Sequence, residues 1–331
     1  MSQISSQKSP TSQPESSKPG FLQQSVSSLY AFWKFSRPHT IVGTSLSVLA
    51  LYSITYAENT GTGFTGIPWV QLFGTWIACL CGNVYIVGLN QLEDVEIDKI
   101  NKPHLPIAAG EFSRRQAQLI VAITGILALL LALLLGPWLL GMVSISLALG
   151  TAYSLPPVRL KRFPFWASFC IFTVRGVVVN LGLFLHFNWV FLQLEKLSVP
   201  SIPPTIWALT LFILVFTFAI AIFKDIPDME GDRQYNITTF TLQMGAPAVF
   251  NLARWVLTVC YLSLTLAGWL WLPSVNPLFL TITHLIALSL MWWRSKQVDL
   301  RDKAEIAQFY QFIWKLFFLE YLIFPSACFL A

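Results

Sequence analysis

Long apolar runs separated by short polar connections dominate this chain. Nine runs lie near residues 40–57, 69–89, 117–135, 138–153, 166–189, 205–223, 247–270, 277–293 and 307–330. Each is close to the ~20 residues that a helix needs to cross the hydrocarbon core of a bilayer. Several contain Gly, Pro or Trp, which membrane helices tolerate where neighbours satisfy the backbone. The pattern predicts an all-α polytopic membrane protein. Ahead of the first run, residues 1–30 are rich in Ser, Gln and Pro and carry only Lys8, Glu15 and Lys18 as charges. That composition predicts a disordered tail over 1–30 and one membrane domain over 31–331. The tail holds no apolar stretch of the secretory-signal type.

Composition excludes the alternatives. Of the 331 residues, 55% are apolar and 11% charged, against ~25% charged in ordinary soluble domains. Mean hydropathy is +0.62. A soluble globular fold and a disordered chain are both ruled out. The net charge of +5 would suggest nucleic acid in a soluble chain, but here the basic residues sit between apolar runs. The expected partner is therefore the lipid bilayer, with no nucleic acid. The tail and every second connection hold 17 Lys and Arg, and the remaining connections hold one, Lys196. By the positive-inside rule the N-terminus is cytoplasmic, or stromal in a plastid, and the span number is odd. The five cysteines lie in apolar runs and read as packing residues.

Acidic residues concentrate in two places on the positive face. After span 2 comes Asn90-Gln91-Leu92-Glu93-Asp94-Val95-Glu96-Ile97-Asp98. Asn90, Asp94 and Asp98 are spaced i, i+4, i+8, so a continuing helix places them on one face. After span 6 comes Lys224-Asp225-Ile226-Pro227-Asp228-Met229-Glu230-Gly231-Asp232-Arg233. Asp225, Asp228 and Asp232 follow i, i+3, i+7, with Pro227 expected to kink or restart the helix. Two facing carboxylate clusters repel unless a cation joins them. Hard oxygen ligands suit Mg²⁺, which commonly bridges carboxylates to substrate phosphates. A diphosphate ester is the natural third party, because a metal neutralises the departing diphosphate.

Lys102, Arg159, Lys161 and Lys224 stand beside these acids and are candidates to hold diphosphate oxygens. The bland reading is that they only set topology. Arg175 is different, since it lies inside span 5, thirteen residues beyond Arg162. A guanidinium at that depth faces a polar cavity or a partner. Lining a substrate pocket and pairing with a structural carboxylate both remain open, and Asn180 lies five residues on. His104 reads as loop and His186 as interfacial. A transporter would also carry charged loops, but it would more often place its acids in mid-span.

The two acidic motifs resemble those of the UbiA superfamily of intramembrane prenyltransferases. Asn90, Gln91, Asp94 and Asp98 fit its NQxxDxxxD form, and Lys224, Asp225, Asp228, Gly231 and Asp232 its KDxxDxxGD form. The resemblance covers about residues 30–331. Within the superfamily, the stretches Phe35-Ser36-Arg37-Pro38-His39-Thr40, 83–92, 100–106, 151–162 (which opens on Thr151-Ala152-Tyr153), 174–182, 221–233 and 309–315 resemble the branch that prenylates homogentisate. Chlorophyll synthases usually carry Asn-Asp where this chain has Asn90-Gln91.

The resemblance implies nine helices around a central cavity, a cytoplasmic or stromal polar cap carrying both motifs, and an apolar tunnel for the isoprenoid tail. It implies two Mg²⁺, one at Asn90, Asp94 and Asp98 and the other at Asp225, Asp228 and Asp232. It implies phytyl diphosphate as donor and homogentisate as acceptor, with geranylgeranyl and solanesyl donors open. Asn90, Gln91, Lys102, Tyr153, Arg159, Lys161, Asn180 and Lys224 become substrate-facing candidates. Arg175 becomes the candidate partner of the homogentisate carboxylate. It also implies a photosynthetic membrane, thylakoid or plasma membrane.

Overall fold

The computed structural model describes residues 21–59, 68–192, 201–235 and 237–331. Among them, nine helices are long and apolar enough to cross a membrane. They are α2 (Pro38–Glu58), α3 (Trp69–Glu93), α5 (Arg114–Leu135), α6 (Pro137–Ser154), the span made of α7 (Pro164–Phe172) and α8 (Val179–Phe191), α9 (Pro204–Phe223), α12 (Ala246–Leu270), α13 (Pro277–Ser295) and α14 (Lys303–Phe329). All nine expected spans are present. Proline stands in the first turn of six of the helices named, from α2 to α13. There its missing N–H costs nothing and its fixed φ favours the helix.

The spans differ in how much of themselves they bury. In α9, 67% of the apolar window is inside the protein, whereas in α5 only 28% is. Accordingly α9 packs against α7, α8, α12 and α14, while Leu130, Leu133 and Leu134 of α5 point outward. In lipid, outward Leu is the stable arrangement and the centre must satisfy its own polar groups. Thr55 and Ser47 therefore donate to backbone carbonyls one turn back. Asn83 donates to Thr40 at 2.9 Å, tying α3 to α2. His186, expected at the interface, is instead fully buried and bonded to Thr75 at 2.9 Å. A hydroxyl partner lets an imidazole sit inside.

The connections on the motif-bearing face hold three short helices, α4 (Val95–Asn101), α10 (Met229–Gln234) and α11 (Phe240–Met244). Ahead of the first span lies α1 (Phe21–Phe35). It corrects the tail boundary, because residues 21–30 are helical; residues 1–20 lie outside the described set. The composition hid a helical repeat of Val26, Leu29, Tyr30 and Trp33, whose side chains are exposed. The helix ends on Phe35, which is fully buried and packs edge-on against Phe112.

Candidate active site

A cavity of about 950 Å³ opens at the motif face and runs down between α2, α3, α6, α7 and α9. Both acidic motifs face it. Neither forms the single helical face expected from spacing. Helix α3 stops at Glu93, and Asp94 bridges it to α4 with φ −111° and ψ 16°. The backbone bonds Asp94 N–H to Asn90 and Asp98 N–H to Asp94 persist across the break, so Asn90, Asp94 and Asp98 still line the cavity. On the other side α9 ends at Phe223, and residues 224–228 turn before α10 begins. The restart expected at Pro227 is observed. Asp225 and Asp228 stand on the turn and Asp232 in α10, and all three line the cavity.

Gly231 brings the two motifs together. Its N–H donates to Asn101 Oδ1 at 3.0 Å, joining α10 to the end of α4. A Cβ on Gly231 would lie 2.6 Å from that oxygen, so only glycine allows this approach.

Four cations sit among the acids. Arg159 reaches Asp94 Oδ1 at 3.0 Å and Lys161 reaches Asp94 Oδ2 at 2.6 Å. Lys224 pairs with Asp225 at 3.0 Å, and Lys102 with Asp228. Lys161 is buried, and burial pulls its ammonium below the usual range against the attraction of Asp94. Burial also works against the charge on Lys224, but Asp225, Tyr153 and Asp228 together outweigh it and hold this lysine well above its ordinary value.

Asp98 and Asp232 form no ion pair among the described residues. Asp98 Oδ2 is buried without a hydrogen-bond partner. Burial, together with the neighbouring Asp94 and Asp228, pushes Asp98 up to about 6, against Arg37 and Lys102. Burial followed by Asp228 pushes Asp232 up to about 7. Each motif thus ends in one acid short of positive charge.

Among the described residues, no three His, Cys, Asp or Glu side chains converge as a ready-made metal cage. The expected three-ligand nests are therefore not preformed, because lysine and arginine hold Asp94, Asp225 and Asp228. The donor set still suits Mg²⁺, which usually takes one or two carboxylates and completes its shell with water and substrate phosphate. Asp98 and Asp232 offer oxygens that no protein cation holds.

Other expected residues divide. Tyr153, Lys102, Lys161, Lys224 and Arg175 line the cavity. Gln91 does not; it is buried and donates to the Phe35 carbonyl at 2.7 Å, fastening α3 to the end of α1. Asn180 does not either; it donates to the Gly176 carbonyl at 2.8 Å and accepts from Tyr321 at 3.0 Å. Arg159 acts from the flank, through Asp94. Sequence reasoning missed Asn101, Tyr310 and Trp314, and all three line the cavity. The last two fall in the 309–315 stretch singled out for resemblance, but nothing in the spacing marks their inward face.

Residues 39–316 match the UbiA prenyltransferase family. The chain belongs to that family. A Synechocystis protein named homogentisate phytyltransferase is 55% identical over 306 residues, covering 92% of this chain and 97% of the relative. An Arabidopsis thaliana protein named homogentisate phytyltransferase 1, chloroplastic, is 40% identical, over 95% of this chain and 79% of that one. A UbiA homolog from Archaeoglobus fulgidus, solved bound to GPP and Mg²⁺, shares the fold with a TM-score of 0.57 at 15% identity, over 89% and 99% of the two chains. As a UbiA member with nine membrane-crossing helices among its described residues, the chain is an integral-membrane prenyltransferase.

Proposed function

We propose that this enzyme transfers the phytyl group of phytyl diphosphate to homogentisate, with loss of CO₂, giving 2-methyl-6-phytyl-benzoquinol. The observation that carries the reading is the pair of aspartate motifs closing over one apolar-walled cavity, in a chain 55% identical to a protein of that name. The tocopherol pathway and a photosynthetic membrane follow from the same reading. The alternation of basic connections makes the motif face cytoplasmic or stromal.

Asp98 and Asp232, with Asn90, Asp94, Asp225 and Asp228 beside them, would hold Mg²⁺. Bound there, the metal supplies electrostatic neutralisation of the departing diphosphate. Lys102, Lys161 and Lys224 stand within the same mouth and turn from aspartate to phosphate oxygens. Tyr153, Tyr310 and Trp314 also line the cavity, and aromatic rings stabilise an allylic cation through their quadrupole. The apolar wall keeps water from quenching it. Homogentisate's electron-rich ring attacks the cation. Loss of the ring proton restores aromaticity, and loss of CO₂ leaves a methyl group.

The direct test supplies membranes holding the protein with labelled homogentisate and phytyl, geranylgeranyl or solanesyl diphosphate, each with Mg²⁺ or EDTA. A lipid-soluble product made fastest from phytyl diphosphate and abolished by EDTA is the expected result. Absence of product with every donor overturns the acceptor.

Mg²⁺ dependence should also shift with pH. A metal binds the ionised carboxylate, so affinity is complete above the carboxyl pKa and declines as pH falls through it. With Asp232 at about 7 and Asp98 at about 6, the Mg²⁺ concentration for half-maximal rate rises roughly 20-fold from pH 8 to pH 6, because metal and protons compete for both groups. Asp232→Asn should flatten the upper part of that curve in Mn²⁺ binding. An unchanged curve would disconnect these acids from the metal.

A further inference from the structure

Arg175 stands in a π-helical turn, Thr173–Val178, between α7 and α8. Such turns insert an extra residue and re-aim side chains, and they recur at functional sites. Here the turn faces Arg175 into the cavity. The guanidinium carbon lies 5.1 Å from the Trp314 ring centroid and 5.8 Å from that of Phe317. None of the cavity's acids pairs with it: Asp94, Asp225 and Asp228 are held by other cations, and Asp98 and Asp232 form no ion pair among the described residues. Arg175 itself forms no ion pair among the described residues. Opposite it is Gly43, where an added Cβ would lie 3.1 Å from Nη1, so a bare backbone makes the room. Behind it, the Tyr321 to Asn180 to Gly176 chain of hydrogen bonds braces the turn.

The surroundings are graded from mouth to interior. Tyr310 stacks on Phe223 with rings 6.0 Å apart, one residue before Lys224 of the second motif. Trp314 follows four residues later, about 6 Å along α14, and Arg175 lies against its face. Tyr310 and Trp314 meet edge to face, with ring centroids 6.4 Å apart, so an acceptor reaching past them from the second motif presents one end to the diphosphate and the other to Arg175. An unpaired guanidinium inside a membrane protein is costly and selects an anion.

Resting on the function proposed above, we propose that Arg175 receives the carboxylate of the aromatic acceptor and that decarboxylation releases the product from this subsite. Once the ring carbon has bonded to the prenyl carbon and lost its proton, the bond between the methylene and carboxylate carbons breaks. CO₂ departs, the electron pair stays on the methylene carbon, and one proton taken up there balances the ring proton lost. The methylated quinol has no anionic handle for Arg175, so the chemistry that ends the reaction also ends recognition.

The test compares the full-length wild type with Arg175→Gln and Arg175→Lys in lipid nanodiscs. The readouts are KM for homogentisate, KM for the prenyl donor, and inhibition by methylhydroquinone, which keeps the ring and methyl group but lacks the carboxylate. Arg175→Gln should raise the homogentisate KM by about 10- to 100-fold, the range of a lost hydrogen bond to a charged group. Donor KM and methylhydroquinone inhibition should stay unchanged, and Arg175→Lys should fall between. A homogentisate KM that does not move, or a parallel weakening of methylhydroquinone or donor, overturns the assignment while leaving the enzyme's function standing. If the wild type prenylates no homogentisate at all, equilibrium binding of labelled 4-hydroxyphenylacetate decides separately. Arg175-dependent retention supports the carboxylate subsite, and Arg175-independent retention overturns it.

Discussion

Asp98→Asn and Asp232→Asn should each remove turnover while leaving the protein at least as heat-stable as the wild type. The two halves of this expectation have one cause. Asp98 and Asp232 are buried carboxylates outside the ion pairs of the site, and their neighbours include Asp94, Asp225 and Asp228. Their charge opposes the packed, metal-free fold, so a neutral amide of the same shape relieves it. The same charge is what a cation and its diphosphate need. Loss of metal stabilisation worth several kcal/mol at the transition state corresponds to a rate loss of roughly 10³-fold. Melting curves in detergent and prenyl transfer in membranes, measured on the same preparations, check both. Asp94→Ala should look different, because it strands Lys161, whose side chain is only 6% exposed, and a buried ion left unpaired destabilises. A loss of stability in Asp98→Asn matching that in Asp94→Ala would mean that Asp98 is structural. Near-normal turnover in both Asn variants would remove the metal assignment.

Gly231→Ala is the second large effect. The new methyl group would overlap the Asn101 amide, at 2.6 Å from Oδ1 and 2.7 Å from Cγ, and would cost the Gly231–Asn101 hydrogen bond. Helix α10 must then move off α4, and the two motifs separate. Misplacement of about 1 Å at a reacting site lowers rates by about 100-fold, and overpacking costs about 1–3 kcal/mol in stability. We expect kcat/KM to fall by about that factor, with a lowered Tm. Adding Asn101→Ala removes the clash without restoring the hydrogen bond. The double variant should therefore regain part of the activity lost by Gly231→Ala. No regain would place the fault elsewhere than in the approach of α4 to α10.

The membrane architecture was legible because the bilayer imposes it. A span must be long, apolar and nearly free of charge, and each of the nine satisfied that in one dimension. The motifs were legible for the opposite reason, since clustered carboxylates at the ends of apolar spans are too costly to be incidental. What the one-dimensional pattern hides is the local backbone. The break at Asp94 and the turn over 224–228 cannot be read from i, i+4 spacing, which assumes the helix it is used to argue. Gln91 is a substrate-facing candidate by its place in the motif, yet its carboxamide turns away to the Phe35 carbonyl. Nothing in Asn-Gln says which amide faces the cavity. The helix over 21–30 was masked by Ser and Gln, whose polarity outweighed a short apolar repeat. Arg175 was conspicuous by depth alone, but the π-helical turn that aims it has no sequence signature.

The seated lysines change how the site meets its ligand. An ammonium taken from water into a membrane protein loses hydration; for Lys161, whose side chain is 6% exposed, nearly all of that loss is incurred when the chain folds, and for Lys102 and Lys224, at 28% and 30%, the larger part of it. An arriving diphosphate therefore meets cations that are already largely stripped of water and already paired, and each has only to exchange one anion for another. The number of ion contacts hardly changes in such a swap. Affinity for the donor should then depend only weakly on ionic strength, in the way of a lock whose pins are held in place by dummy keys until the true one slides in.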